Sequence, residues 1–182
     1  MPTITSKNTN KDLAVSNSLT PLFAKDYNVY INHTDAGGIV YHANHLTFFE
    51  NCRRDWFGHL GLNGYFLKTD DGDVQHFVVS QALVQYKQAI LIDDVVSVHV
   101  DKIELKSASV TFHQSIHRNT STHSAPNSNT LLTSGKIVMA CVQNQIKSNS
   151  TGHENTSMRP VRLPKNLRSR LEQAINEQIN AS

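Results

Sequence analysis

The stretch Asn32–Arg53 reads NHTDAGGIVYHANHLTFFENCR, and its two halves call for different structures. The first half is a turn. Asp35 places a carboxylate ahead of Ala36 and two glycines, Gly37 and Gly38. Such a pair lets the backbone take positive φ and pass close to a ligand. The second half is helical. After Asn44, the candidate N-cap, apolar residues recur at Leu46, Phe49, Cys52, Trp56 and Leu60, with Phe48 and Phe57 beside them. Gly61 stands where a capping glycine would end the helix. The apolar stripe is broad and is ringed by Glu50, Arg53, Arg54 and Asp55. A helix of that kind is wrapped by other elements rather than laid on a surface.

Working outward, Asp26–Asn32 reads as a short strand before the turn. Beyond the helix almost everything alternates with a period of two. Val74–Tyr86 sets Val74, His76, Val78, Ser80, Ala82, Val84 and Tyr86 on one face and Phe77, Val79 and Leu83 on the other. Asp94–Leu105 carries Val96, Val98 and Val100. Ser109–Arg118 carries Val110, Phe112 and Ile116, and Leu131–Gln143 carries Ile137, Met139 and Cys141. These runs are long for strands. The segments LIDD and LKSAS punctuate them as turns. After Pro164, Leu167, Leu171, Ala174, Ile175 and Ile179 predict a closing amphipathic helix. A strand, a long helix, four long strands and a helix make an α+β pattern, with the first helix against one face of an antiparallel sheet.

The remaining segments are polar. Residues 1–20 read as a disordered tail, and 119–130 and 148–157 as flexible loops, which leaves 21–182 as a single domain. The 182-residue length fits one domain with a real core. A net charge of +2 is too small and dispersed to argue for nucleic acid. Cys52 and Cys141 need no disulfide, so the expectation is a reduced, cytoplasmic protein. The N-terminal segment has no apolar core for a secretory signal. It also has no arginine and carries Asp12, against a transit peptide. No run of apolar residues is long enough to span a membrane.

Chemistry points back to the opening stretch. A carboxylate on a glycine turn faces the start of a helix, whose first N–H groups have no intrahelical acceptor. Those donors and the helix dipole favour developing negative charge. The pairing suits acyl transfer: the carboxylate attacks a carbonyl or activates water. The donors hold the oxyanion, at roughly 3 kcal/mol for one good donor.

At this point the chain resembles the 4-hydroxybenzoyl-CoA thioesterase family, and within it is similar to the Tol–Pal-associated acyl-CoA thioesterases of the YbgC type. Those proteins typically read D-T-D-A-G-G-V-V-Y-H-A, then F-Y/F-E and a basic residue. Here the matching positions are Thr34, Asp35, Ala36, Gly37, Gly38, Val40, Tyr41, His42 and Ala43, then Phe48, Phe49, Glu50 and Arg53. Further likeness lies in HFVVSQALVQY, LIDDVVSV and RPVRLPKNLRSRLE. The resemblance implies a hotdog fold, a long central helix wrapped by a five- to six-stranded antiparallel sheet. It implies hydrolysis of acyl-CoA or a related pantetheine thioester without metal or cofactor. It also implies a homo-oligomer, dimer or tetramer, with active sites at the dimer interface, and a functional link to the Tol–Pal system. Carried over, Asp35 is the catalytic nucleophile or general base, and the backbone N–H near His42 polarises the carbonyl. The His42 side chain lines the site with Gly38, Val40, Tyr41 and Glu50.

The chain departs from the pattern at His33, where an acidic residue is usual, and at His45, where tyrosine is usual. Ser80–Gln81 replaces a basic pair that could serve the CoA phosphates; Lys106, Lys147, Arg159 and Arg162 are the candidate substitutes. The departures motivate a second reading, a non-catalytic hotdog module that binds acyl groups or a partner protein. A hotdog dehydratase is a third reading, and the D-x-G-G motif speaks against it. Asp35 alone would also serve as a simple Asx-turn residue. His33, Asp35 and His42 superficially resemble an iron triad, but the glycine turn explains their spacing without metal. His113 and His117 share a strand face with no acidic partner apparent in the sequence, and Cys52 reads as packing.

Overall fold

The computed structural model describes residues 20–62, 66–68, 74–118, 130–148 and 154–181. The tail expected over 1–20 and the loop expected over 119–130 lie outside these residues, apart from Thr20 and Thr130. The chain opens with strand β1 (Phe23–Asn28) and a 3-10 turn (Ile31–His33), then helix α1 (His42–His59). Six strands follow: β2 (Phe66–Lys68), β3 (Val74–Tyr86), β4 (Val95–Leu105), β5 (Ser109–Arg118), β6 (Leu131–Ser148) and β7 (Glu154–Pro160). Helix α2 (Lys165–Ala181) closes the chain.

One antiparallel sheet runs in the order β1-β4-β5-β6-β3-β2, and β7 joins it by pairing with the far end of β6. The stretch read as a loop over 148–157 therefore contributes strand at both ends: Ser148 belongs to β6 and Glu154–Ser157 to β7. Strand pairing is a main-chain bond and needs no apolar side chain, so a Ser, Thr and Asn composition hid it. The first strand also sits earlier than Asp26–Asn32, because Ile31–His33 turns into 3-10 geometry.

Helix α1 lies against the inner face of this sheet, buried through Phe48, Phe49, Cys52, Trp56 and Phe57. Opposite stand Val96, Val98 and Val100 of β4, Val110, Phe112 and Ile116 of β5, and Ile137, Met139 and Cys141 of β6. These are the faces expected from alternation. The helix comes close because Gly135 of β6 has no side chain: a Cβ there would meet Phe49 Cε2 at 2.6 Å. Gly61 ends the helix as expected, at φ +70°. Its N–H reaches the Gly58 carbonyl (3.0 Å) and the Leu62 N–H reaches Phe57 (2.8 Å), closing the last turn.

Strand β3 departs from simple alternation. A bulge between Val79 and Gln81 shifts its register against β6. A bulge inserts one residue, so the inward set changes parity across it. Phe77 is buried before it and Val84 packs on the core after it, while Leu83 is exposed. Val78 and Tyr86 thus belong to opposite faces. A sheet wrapped around a long central helix in this way is the hotdog fold.

Candidate active site at the start of the central helix

The Asp35 turn is a closed hairpin. The Asp35 N–H donates to the Ile39 carbonyl (2.9 Å) and the Gly38 N–H to the Asp35 carbonyl (3.1 Å). Thr34 and Val40 pair as an isolated bridge, and Gly38 takes φ +74°. The turn is pinned sideways to the segment after β3. There the Val40 N–H donates to the Ile90 carbonyl (2.8 Å), and the Ile92 N–H donates to that of Gly38 (3.1 Å). Asp35 Oδ1 accepts the Gly37 N–H at 2.8 Å, the Asx-turn bond. Among the described residues Oδ2 has no protein partner, so the turn bond occupies only half of the carboxylate.

Asn44 is not the helix cap. Helix α1 begins two residues earlier, with Tyr41 as N-cap and no side-chain cap. The Asn44 side chain instead donates to the His33 carbonyl at 2.7 Å, and the Tyr41 N–H reaches the same oxygen at 3.0 Å. These bonds fasten the base of the hairpin to the first helical turn. No side chain caps this helix start, and the Asn44 N–H bonds the Tyr41 carbonyl at 2.8 Å.

Hairpin and helix start open on a cavity of about 480 Å³. Asp35, Ile39, Val40, Tyr41, His42 and His45 line one side, and Tyr86 to Ile90 the other. Of the expected site residues, Asp35, Val40, Tyr41 and His42 therefore come together. Gly38 shapes the hairpin but is not in the lining, and Glu50 lies two turns further along α1, exposed to solvent and also outside it. His45, Tyr86 and Lys87 enter the site without having been singled out for it. His45 stood only as a departure from a family pattern, and Tyr86 only as the last residue of a strand. Lys106, Arg159 and Arg162 do not line the cavity; Lys87 does.

His45 is buried, and its Nδ1 lies 2.9 Å from the Thr133 hydroxyl of β6. Burial holds this imidazole below its ordinary pKa; a hydrogen bond with the Val40 backbone opposes the shift, and His42 adds to it. Tyr86 packs edge-on against His45, with ring centroids 4.9 Å apart.

The remaining candidates have other roles. Cys52 is buried and donates to the Val98 carbonyl; burial pushes its thiol up to about 12 and that of Cys141 up to about 11, so neither is a thiolate nucleophile. His113 does have an acidic partner, Glu104 of β4 at 3.0 Å, supplied by strand pairing rather than by sequence proximity. Among the described residues no group of three His, Cys, Asp or Glu could hold a metal ion.

A long helix wrapped by one antiparallel sheet, with a carboxylate turn and a cavity at its start, defines a hotdog protein. The chain belongs to the thioesterase-like superfamily, whose family model matches residues 29–171. It is 30% identical over 147 residues to the acyl-CoA thioesterase YbgC of Haemophilus influenzae, covering 81% of this chain and 92% of that protein. Against the acyl-CoA thioester hydrolase YbgC of Escherichia coli O6:H1 it is 27% identical over 154 residues, covering 85% and 98%. The solved structure of a 4-hydroxybenzoyl-CoA thioesterase variant with its substrate shares the fold. Its TM-score is 0.61 at 13% identity, with 82% of this chain and 97% of that one covered.

Proposed function

We propose that this protein is an acyl-CoA thioesterase in which Asp35 is the catalytic carboxylate. The observation that carries the reading is that Asp35 and the uncapped first turn of α1 border one cavity. A thioester carbonyl seated there has a carboxylate on one side and backbone N–H donors on the other. Asp35 attacks the carbonyl carbon or takes a proton from the water that does, and the carbonyl electrons move to oxygen. The N–H groups at the start of α1 hold that oxyanion. Collapse of the tetrahedral species expels the CoA thiolate and leaves the acid, directly or after hydrolysis of an acyl-aspartyl anhydride. His42, Tyr41 and Val40 shape the acyl end, and Lys87 offers a cation to the CoA end. Gly38 acts through the shape of the hairpin.

Such an enzyme works as a homo-oligomer in the cytoplasm and, by family resemblance, alongside the Tol–Pal system. In support of self-association, β2 pairs only with Val74–His76 of β3, so from Phe77 to Tyr86 that edge has no partner among the described residues. Exposed Ile39, Tyr41 and Leu91 lie around the hairpin. Among the described residues no helix is long and apolar enough to cross a membrane.

The test is thiol release from acyl-CoAs of short, long and aromatic type, with Asp35→Asn beside the wild type. Hydrolysis that falls by orders of magnitude in the variant supports the reading. Absence of hydrolysis in both sinks it and favours a binding module on a thioesterase scaffold.

A further inference from the structure

We propose that Arg118 is a positioning residue of this site: paired with Asp94, it stands in for a neighbouring strand along the far wall of the cavity and so holds the segment to which the Asp35 hairpin is pinned. The proposal rests on the thioesterase reading and extends it to a residue that does not line the cavity.

The far wall runs from residue 86 to 90 and on into Leu91 and Ile92, between β3 and β4. Its main chain bonds as a strand does, to either side in turn. On one side the Ile90 carbonyl accepts the Val40 N–H at 2.8 Å, and the Ile92 N–H reaches the Gly38 carbonyl at 3.1 Å. These are the sideways bonds of the hairpin. The intervening groups, the Ala89 carbonyl and the Leu91 N–H, have other partners. Arg118, the last residue of β5, donates through Nη2 to the Ala89 carbonyl at 2.9 Å. Asp94, the residue before β4, accepts the Leu91 N–H on Oδ2 at 2.9 Å. Arg118 Nη1 donates to that same oxygen at 2.8 Å. One donor and one acceptor, joined as an ion pair, thus supply what the N–H and C=O of an adjacent strand would.

Main-chain bonds hold the two ends of the segment. The Lys87 and Gln88 N–H groups reach the Leu132 carbonyl, and Asp93 and Asp94 bond to Val29. The side-chain bonds to its middle, among the described residues, come from Arg118 and Asp94. The turn that follows keeps Asp93 at φ +64°, which a non-glycine residue holds only where its surroundings fix it. Without Arg118, residues 89–92 shift, the two hairpin bonds shift with them, and Asp35 moves relative to the start of α1. A displaced carboxylate still admits substrate but meets its carbonyl less often, which lowers kcat more than it raises KM.

The experiment compares Arg118→Met and Arg118→Lys with wild type by acyl-CoA hydrolysis and by amide hydrogen exchange. Methionine keeps the stem and removes both bonds; lysine keeps the charge but not the fork that spans two acceptors. The expected result is a fall in kcat of about tenfold for Arg118→Met, with KM little changed and part of the loss recovered in Arg118→Lys. Exchange at the Val40, Leu91 and Ile92 amides should quicken, while the Phe112 and Ile137 amides hold. Unchanged kcat in Arg118→Met, or Val40 and Ile92 amides that exchange as in wild type, overturns the proposal. Exchange quickened equally across the sheet marks general destabilisation and overturns it too. If Arg118→Met does not fold, Arg118→Lys carries the test, and wild-type kcat with wild-type exchange in it overturns the proposal. A wild type that hydrolyses nothing overturns the thioesterase reading instead; exchange alone then decides whether Arg118 holds the wall and hairpin.

Discussion

The Tyr86 hydroxyl donates to the His42 carbonyl across 3.1 Å, so the last residue of β3 is tied to the first of α1. The two residues face each other across the cavity that holds Asp35. Tyr86 is half exposed, so Tyr86→Phe should cost less than about 1 kcal/mol of stability. Under the proposed mechanism its effect on function should be larger in proportion, because the tie holds the first residue of α1. Thioester turnover should fall several-fold while the denaturation midpoint barely moves. Equal turnover in wild type and variant would show that the tie does not set the site.

Gly135 and Phe49 support a second prediction. A methyl group on residue 135 would lie 2.6 Å from one carbon of the Phe49 ring and 3.1 and 3.2 Å from two others. Phe49 is fully buried and cannot swing away. Gly135→Ala should therefore destabilise by about 1–3 kcal/mol through overpacking. Trimming the ring with Phe49→Leu in the same chain should recover part of that loss. Denaturant titration of the two singles and the double measures it. Additive losses would mean that the close approach is not what Gly135 provides.

Much of this arrangement was legible in the residues, for local reasons. Helix α1 announced itself by period, and Gly61 by its place after the last apolar residue. The Asp35 hairpin and helix start are contiguous, so a single stretch carried half the cavity wall. The other half, Tyr86 to Ile90, meets it only through folding. No spacing rule joins residue 45 to residue 133. The β3 bulge is likewise a fact of pairing with β6: alternation read along one strand could not show where an extra residue is inserted. Glu50 is the opposite case, since it belongs to the motif but lies outside the cavity lining.

The buried Arg53 gives a third prediction. Its Nη1 donates to Gln114 Oε1 at 2.6 Å, and Gln114 Nε2 donates to the Phe49 carbonyl at 3.1 Å. The guanidinium also lies 5.6 Å from the Phe112 ring centre. Gln114→Leu removes an acceptor from a buried cation and a donor from a buried carbonyl, and should cost about 2–3 kcal/mol. Arg53→Met alone leaves Gln114 half satisfied. The double variant should cost less than the two singles summed, because the charge that needs a partner is gone. Strict additivity in a double-mutant cycle would contradict this coupling.

Acid sensitivity follows from the histidine pair on the outer face of the sheet. The rings of His99 and His117 stack with centroids 4.5 Å apart. His99 is held at about 4, first by burial and then by the charge of His117, with Asp26 opposing. In the unfolded chain a histidine titrates near ~6.5. Above that pH both states are neutral and the residue contributes nothing to the pH dependence. As pH falls from about 6.5 toward 4, the unfolded chain takes up a proton that the folded protein refuses, so stability is lost through this window. The loss is complete once the folded ring also titrates. The full shift corresponds to a ceiling of roughly 3 kcal/mol, and partial solvent access reduces the loss expected by pH 5 to about 1 kcal/mol. His99→Gln removes the titrating group but keeps a polar side chain. Between pH 7 and pH 5 the wild type should lose about 1 kcal/mol more than the variant, a difference of roughly 2–4 °C in Tm for a chain of this size. If the two proteins lose stability in parallel, His99 titrates freely in the folded state and the acid sensitivity has another source.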